Sequence, residues 1–414
     1  MKRAFACIIC FVLLLSVLPV VGAEEVTESN RYGFTTLTKR EQYIYDCLLD
    51  RIDDFEDVVM LDESMALKPE EVNRANQMLC SDWPELFYYL GTYQYNLVDG
   101  KAVTKVYPQY TLNGQKVNGQ KDLVDAAKVQ LQEKAQAVMQ TVTGQTDTDK
   151  ALQLHDTLLT QVEYVEGSND QSAYGALVQG SAVCAGYTRA YQLLLRMADI
   201  PAFKVDGSAV NQRGEQEQHS WLMMWLDEKC VYTDITWDDG ANTIFHAYFA
   251  LSLDQIATNH RAGDPFYSFL PSCDHEGMDY FTVYQGPGVA ILTDATDVAV
   301  LATQFVAATG QRDVLQCAVR YEGADFVAWL QNNQVKLAQA LNLVGQYQCS
   351  VQTVGKEYQI EFTGTIQEPT QPTEPGPSVA LPQIDGDFTM ILVAIAAGLV
   401  LVIVIVALAA RKKK

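Results

Sequence analysis

Along residues 24–120, the apolar positions predict two helices followed by two strands. Thr38 and Glu41 match a capping box, and the apolar residues after them recur at helical spacing. Pro69 suits the first turn of a second helix. The two strand-like runs lie at 86–97 and 103–112. This part of the chain is therefore predicted to be an N-terminal α/β region.

The patterns further along predict a central domain over 121–290 and a small C-terminal α/β unit over 291–366. In the central domain, amphipathic helices are expected at 122–142 and 147–162. The elements expected in the C-terminal unit are a strand at 314–321, a helix at 324–344 and a hairpin at 346–362 that turns at Gly355-Lys356.

Cys184 lies near the start of a predicted helix in the central domain. The apolar face of this helix has helical spacing and consists of Val183, Tyr187, Ala190, Leu194 and Met197. With Ser181 as the expected N-cap, the free N–H groups of the first turn would stabilise a thiolate at Cys184. Gly186 lowers helix propensity in the first turns, and we expect it to be tolerated because something approaches its backbone closely. By itself, such a cysteine is more often an inert core thiol.

A predicted hairpin carries a histidine and an aspartate. Its strands are expected at 219–226 and 230–237, separated by a polar turn. With a two-residue turn at Asp227-Glu228, His219 and Asp234 become diagonal neighbours on one face. A plain three-residue turn would place them on opposite faces. Each residue alone has an ordinary structural explanation: a satisfied core histidine and a turn-forming aspartate.

Together, these segments resemble the transglutaminase-like superfamily, a branch of the papain-like thiol enzymes. The resemblance extends from about 147 to 240. The segments that carry it are Gly180–Tyr187 around the cysteine, His219-Ser220-Trp221, and Thr233–Asp239. The cysteine, histidine and aspartate occur in the family's order, and Asp199-Ile200-Pro201 supplies the usual step after the cysteine helix.

The resemblance implies an α+β fold in which a cysteine helix packs on an antiparallel sheet. It also implies that Cys184 is the nucleophile, His219 the general base and acid, and Asp234 the orienting carboxylate. The tryptophan that stabilises the oxyanion in the animal enzymes has no counterpart between Trp83 and Trp221. The backbone N–H of Cys184 remains as one donor, and Tyr174 or Gln179 is the expected second donor.

No cofactor or metal is expected. The sequence contains no H-E-x-x-H pattern, and outside 1–23 it has no C-x-x-C pair. Asp238-Asp239 could bind a cation, but turn formation explains this pair more simply. The other histidines fall in a predicted helix (His155), beside aromatic residues (His246) or in loop-like stretches (His260 and His275).

The two ends of the chain predict a cell-surface protein. Residues 1–23 have the basic start, apolar core and small residues of a secretory signal peptide, with an uncleaved anchor as the alternative. Residues 367–387 are a Pro/Thr-rich stalk. Residues 388–410 are apolar enough for a transmembrane helix, with a buried core helix as the alternative, and residues 411–414 form a basic cytoplasmic tail.

The predicted location is therefore the cell membrane, with one span and the catalytic part outside. Leu381–Asp387 resembles a degenerate sortase signal of Gram-positive bacteria that lacks the Thr-Gly pair, so a membrane anchor is favoured over wall attachment. The net charge of −22 argues against a nucleic-acid partner. Seven cysteines outside 1–23 leave at least one thiol unpaired, and spacing alone does not fix any disulfide.

Two functions follow from these features. The first is an enzyme that transfers or hydrolyses acyl groups of protein or peptide amides through a cysteine thioester, either as a transglutaminase or as a peptidase or amidase. The second is a non-catalytic binding or adhesion module that uses the same scaffold on a stalk.

Overall fold

The computed structural model describes residues 31–367, apart from 212, 241–242, 309–310 and 312, together with two strands near the C-terminus. The predicted signal peptide, the stalk after residue 367 and the basic tail lie outside the described residues. The α-helices are α1 (Tyr32–Thr35), α2 (Lys39–Asp53), α3 (Pro69–Asp82), α4 (Lys121–Met139), α5 (Asp147–Gln161), α6 (Cys184–Met197), α7 (Leu253–Ile256), α8 (Tyr280–Val283), α9 (Val298–Ala302) and α10 (Phe326–Ala340).

Most of the strands are short, and the longest belong to the central and C-terminal sheets. They are β1 (Val59–Met60), β2 (Tyr93–Val98), β3 (Ala102–Pro108), β4 (Thr111–Leu112), β5 (Gln115–Lys116), β6 (Glu163–Tyr164), β7 (Ser181–Ala182), β8 (Ala202–Val210), β9 (Gln216–Leu226), β10 (Lys229–Thr233), β11 (Asp239–Gly240), β12 (Thr243–Ile244), β13 (His260–Ala262), β14 (Val289–Leu292), β15 (Val306–Ala307), β16 (Val314–Tyr321), β17 (Leu343–Val354), β18 (Glu357–Ile366), β19 (Thr389–Ala396) and β20 (Leu399–Val406).

The N-terminal region packs α2 and α3 beside a three-stranded sheet of order β1-β3-β2. The predicted capping box at Thr38 and Glu41 is confirmed, as is the helix that begins at Pro69. The first predicted strand is wrong before Tyr93. The chain turns there instead: the backbone N–H of Leu86 donates to the Trp83 carbonyl at 3.3 Å, and that of Tyr89 donates to the Leu86 carbonyl at 2.8 Å.

The central sheet is antiparallel, with strand order β10-β9-β8-β13. Helix α6 packs on β8 and β9 and also contacts α4 and α5. Part of this helix also reaches the N-terminal region. There, the side-chain amide of Gln192 donates to the carbonyl oxygens of Ser81 (2.7 Å) and Ala202 (3.1 Å). The N-terminal region thus shares one continuous apolar core with the central domain.

The C-terminal unit has its own core, formed by residues between Ala290 and Phe362. Helix α10 covers one face of a sheet in which β16 lies between β14 and β18, and β18 pairs with β17. The predicted hairpin is confirmed, because β17 and β18 are joined at Gly355-Lys356. The described part of the chain is thus a mixed α and β structure.

The predicted transmembrane helix at 388–410 is not found. The structure places β19 and β20 in this stretch, and β19 pairs in parallel with β17. A run rich in Val and Ile, apolar on every face, carries no helical period and also suits a strand. Among the residues that the structure describes, none of the helices is both long and apolar enough to cross a bilayer.

Candidate active site

Cys184 is the first residue of α6. Its thiol is unpaired and partly exposed. Val183, not Ser181, is the N-cap, because Ser181 and Ala182 form β7 and pair in parallel with β6. Backbone N–H groups in the first turn of a helix have no acceptors within that helix, so the N–H of Cys184 can donate to a group outside α6.

Gly186 allows a neighbouring loop to approach the cysteine helix. A Cβ atom at this position would lie 2.1 Å from the carbonyl oxygen of Asp170. The same carbonyl accepts a hydrogen bond from the backbone N–H of Val183 at 3.0 Å. The predicted close approach is therefore confirmed, and it fixes the chain immediately before Cys184.

The hairpin of β9 and β10 has the predicted two-residue turn. Leu226 pairs with Lys229, and Asp227 and Glu228 between them both have positive φ. Pairing continues to Thr233, so Asp234 is the residue just beyond the last pair. There, Asp234 Oδ1 accepts the backbone N–H groups of Thr236 (3.1 Å) and Trp237 (3.3 Å), which ends the strand earlier than predicted.

His219 and Asp234 meet as the register predicted. The Nε2 atom of His219 lies 2.8 Å from Asp234 Oδ2. The side chain of Asp234 is fully buried, and His219 is only 6% exposed. An ionised carboxylate only accepts hydrogen bonds, so Nε2 donates and Nδ1 is left to face another group.

The remaining ring nitrogen of His219 is available to the thiol of Cys184. Helix α6 and strand β9 are joined near this point by the Thr188 hydroxyl, whose oxygen lies 2.7 Å from the Cys184 carbonyl and 3.1 Å from the Ser220 carbonyl. Burial alone would lower the pKa of His219. The charge and hydrogen bond of Asp234, together with a hydrogen bond to Cys184, instead raise that pKa to about 10.

His260 is the site residue that the sequence analysis missed. It belongs to β13, which pairs with β8, and its Nε2 atom lies 3.0 Å from Asp234 Oδ2. Burial alone would raise the pKa of Asp234, but the charge of His219 and the hydrogen bonds from both histidines hold it well below the usual range. Only the pairing of β13 with β8, which no local pattern signals, brings His260 here.

The two predicted oxyanion donors are engaged elsewhere. The Tyr174 hydroxyl donates to Gln130 Oε1 at 2.6 Å, and the side-chain amide of Gln179 donates to Asn113 Oδ1 at 3.0 Å. Tyr164, which the sequence analysis did not consider, has its hydroxyl beside the backbone N–H of Cys184.

A second, partly buried cluster of histidines and carboxylates lies on α5 and the segment after the hairpin. Asp156 Oδ1 is 2.9 Å from both His155 Nδ1 and His246 Nε2. Asp238, predicted as a turn former, is fully buried, and its Oδ2 is 3.3 Å from His155 Nε2. Burial alone would lower the pKa of His155, but hydrogen bonds to Asp156 and Asp238 raise it to about 9.

Two sets of side chains have the composition of a metal site. Each set places its three ligand atoms within 4.8 Å of one another: His155, Asp156 and His246, and His219, Asp234 and His260. In both sets, two ring nitrogens approach one carboxylate oxygen at 2.8–3.0 Å, which is hydrogen-bond length. Hydrogen bonding therefore accounts for both sets.

The sequence left the disulfides open, and the structure contains one between Cys230 and Cys273. Cys230 lies on β10, four residues before Asp234, and Cys273 lies in the segment after β13. The disulfide therefore ties the strand that leads to Asp234 to the loop beyond β13.

Comparison with known proteins gives the same family as the motifs. The sequence model of the Transglutaminase-like superfamily matches residues 133–237. Solved structures with partial similarity include a candidate cysteine protease of Cytophaga hutchinsonii (19% identity over 26% of this chain, TM-score 0.23) and a TGase (11% identity over 50%, TM-score 0.24). This chain spans 37% and 53% of the lengths of those two proteins.

No curated protein matches the chain. The family match covers β6, the cysteine helix and the complete β9–β10 hairpin, and it ends at Trp237. The similarity to the Transglutaminase-like superfamily thus extends over residues 133–237.

Proposed function

We propose that this protein is an acyl-transfer enzyme with Cys184 as nucleophile, His219 as general base and acid, and Asp234 as orienting carboxylate. The observation that carries the proposal is the buried 2.8 Å contact between His219 Nε2 and Asp234. Because Nε2 donates to the carboxylate, Nδ1 of His219 remains available to exchange a proton with Cys184 Sγ at the start of α6. A carboxylate in this position selects the ring tautomer and stabilises the imidazolium.

The first half of the reaction forms a thioester. The proton on Cys184 Sγ moves to His219 Nδ1, and the raised pKa of His219 favours this transfer. The sulfur then attacks the carbonyl carbon of an amide, and the carbonyl oxygen becomes an oxyanion beside the backbone N–H of Cys184. As the C–N bond breaks, His219 returns its proton to the leaving nitrogen.

The second half releases the acyl group. An amine or a water molecule loses a proton to His219 and attacks the thioester carbonyl, and the sulfur leaves and is reprotonated by the same histidine. An amine yields a new amide and water yields an acid. We propose glutamine side chains or peptide bonds of surface proteins as acyl donors. Both are amides, and the Cys184 sulfur can attack either by the same reaction.

We also propose that the reaction takes place outside the cell. The Cys230–Cys273 disulfide supports an extracytoplasmic location, because disulfides persist in oxidising compartments. The test is labelling of intact cells with a membrane-impermeant thiol or amine reagent. Labelling only after the cells are opened would contradict the surface location.

The activity is tested by mass spectrometry of glutamine peptides incubated with the protein, with and without a primary amine. Loss of ammonia with addition of the amine identifies a transglutaminase, whereas plain hydrolysis identifies an amidase or peptidase. The Cys184→Ala variant is the control. Products that form equally with this variant, or no product at all from the unaltered protein, would contradict the proposal.

A further inference from the structure

Tyr164 lies beside the start of the cysteine helix. Its strand, β6, pairs in parallel with β7, so Tyr164 is level with Ala182, two residues before Cys184. The next backbone N–H, from Val165, donates to the Ala182 carbonyl at 3.1 Å. The main chain around Tyr164 is therefore fixed relative to the cysteine.

The side chain of Tyr164 covers the first turns of α6. Its ring stacks on that of Tyr187 with the centroids 6.2 Å apart, while 48% of the residue stays exposed. The hydroxyl lies beside the backbone N–H of Cys184 and interacts electrostatically with the carboxylates of Glu217 and Asp234. Partial burial, followed by the negative charges of Cys184, Glu217 and Asp234, raises the pKa of Tyr164 to about 12, so the hydroxyl keeps its proton at neutral pH.

Thioester formation creates a negative oxygen that needs hydrogen-bond donors. The backbone N–H of Cys184 supplies one donor, and enzymes of this chemical class place a second donor beside it. Tyr174 and Gln179 donate to Gln130 and Asn113 instead. Among the described residues, Tyr164 is a proton-bearing side chain whose polar atom lies at that same backbone N–H.

We propose that Tyr164 is the second oxyanion donor of the acyl-transfer reaction, acting together with the backbone N–H of Cys184. This inference depends on the proposed function. The incoming carbonyl oxygen takes over the Cys184 N–H from the tyrosine oxygen, and the phenolic O–H turns to donate to it. Partial exposure of the ring gives it room to shift as the substrate enters.

A contrary arrangement makes a different prediction. If Tyr164 only occupies the place of the oxyanion, it competes with the substrate, and removal of its hydroxyl speeds the reaction. If the hydroxyl donates, its removal slows acylation of the sulfur but leaves reactions without an oxyanion unchanged. Alkylation by iodoacetamide is such a reaction, because the sulfur displaces iodide from an sp³ carbon.

The experiment compares Tyr164→Phe with the unaltered protein in two assays. The first assay follows release of p-nitrophenolate from p-nitrophenyl acetate, which acylates Cys184 through an oxyanion. The second assay follows alkylation of Cys184 by iodoacetamide. Phenylalanine keeps the stacking on Tyr187, and Tyr267→Phe, at a residue that is 68% exposed, is the matched control.

We expect Tyr164→Phe to lower kcat for the ester by about 10²-fold with an unchanged alkylation rate, because one oxyanion donor contributes a factor of this order. An unchanged or faster ester reaction would overturn the proposal, as would an equal loss in both assays or a loss confined to Tyr174→Phe. If the unaltered protein shows no release that depends on Cys184, the proposed function fails as well. Full activity in Tyr164→Phe, by contrast, would overturn the role of Tyr164 alone and leave the proposed function standing.

Discussion

Replacement of Asp234 by asparagine tests how the carboxylate acts on His219. Asparagine has nearly the same shape, and its amide oxygen can still accept the N–H groups of Thr236 and Trp237, which now bind Oδ1. Its NH₂ group then faces Nε2 of His219 and His260, where Oδ2 lies now. A ring that must accept at Nε2 carries its proton on Nδ1, so His219 cannot take the proton of the thiol.

The size of the effect follows from the pKa of His219. Asp234 is the main group that raises this pKa from 6.5 to about 10, against the effect of burial. The difference corresponds to roughly 5 kcal/mol in the balance between imidazolium and imidazole. The wrong tautomer alone lowers kcat by about 10⁴-fold in enzymes that use the same arrangement. We therefore expect Asp234→Asn to lower kcat by ~10³- to 10⁴-fold.

The assay is the rate of Cys184 alkylation by iodoacetamide as a function of pH, together with kcat for p-nitrophenyl acetate. In the unaltered protein, we expect alkylation to stay fast below the pKa of an ordinary thiol, about 8.5, because imidazolium stabilises thiolate. In Asp234→Asn, the rate should rise only at alkaline pH. Profiles that coincide in the two proteins would refute the reasoning.

Loss of a buried ion pair also lowers stability, by about 3–5 kcal/mol. The control is therefore Asp156→Asn, which alters the other cluster of two histidines around one carboxylate. Both variants are compared below their unfolding temperatures. A similar loss of kcat in Asp156→Asn would mean that general destabilisation, not the protonation of His219, explains the result.

Three further variants test the fold around the site. Gly186→Ala places a Cβ atom 2.1 Å from a carbonyl oxygen and should unfold at a clearly lower temperature, whereas Gly167→Ala, with no atom within 4 Å of the added carbon, should not. Reduction, or a Cys273→Ala change, opens a loop of 43 residues closed by Cys230 and should lower the free energy of unfolding by about 4 kcal/mol in urea titrations. Burial raises the pKa of Glu357 well above its usual value, so the protonated form stabilises the fold at low pH. This stability is lost as pH rises through the folded pKa, and Glu357→Gln should flatten that pH dependence of unfolding.

The parts of the site that the sequence predicted are those set by local rules. The two-residue turn at Asp227-Glu228 determines the register of one hairpin, and that register alone brings Asp234 to His219. The close approach at Gly186 was likewise visible as a residue that disfavours the helix containing it. Each of these predictions needed only a short stretch of chain.

The parts that could not be predicted depend on pairing between distant segments. Ser181 has the side chain of an N-cap, but the pairing of β7 with β6 draws it into a strand and moves the helix start to Cys184. The same pairing carries Tyr164 to the cysteine. Nothing in the composition of a two-residue strand signals its partner, because β propensity depends on tertiary surroundings.

The position of His260 explains how Asp234 can keep orienting His219 while the charge of His219 changes during the reaction. The carboxylate accepts four hydrogen bonds, and only the one from His219 involves the ring that gains and loses a proton at its other nitrogen. The donors on His260 and on the two backbone amides do not change. They hold the carboxylate in place when His219 is neutral, so the imidazole returns to the same tautomer after each proton transfer. A carboxylate that depended on His219 alone would instead have to be positioned again in every half-reaction.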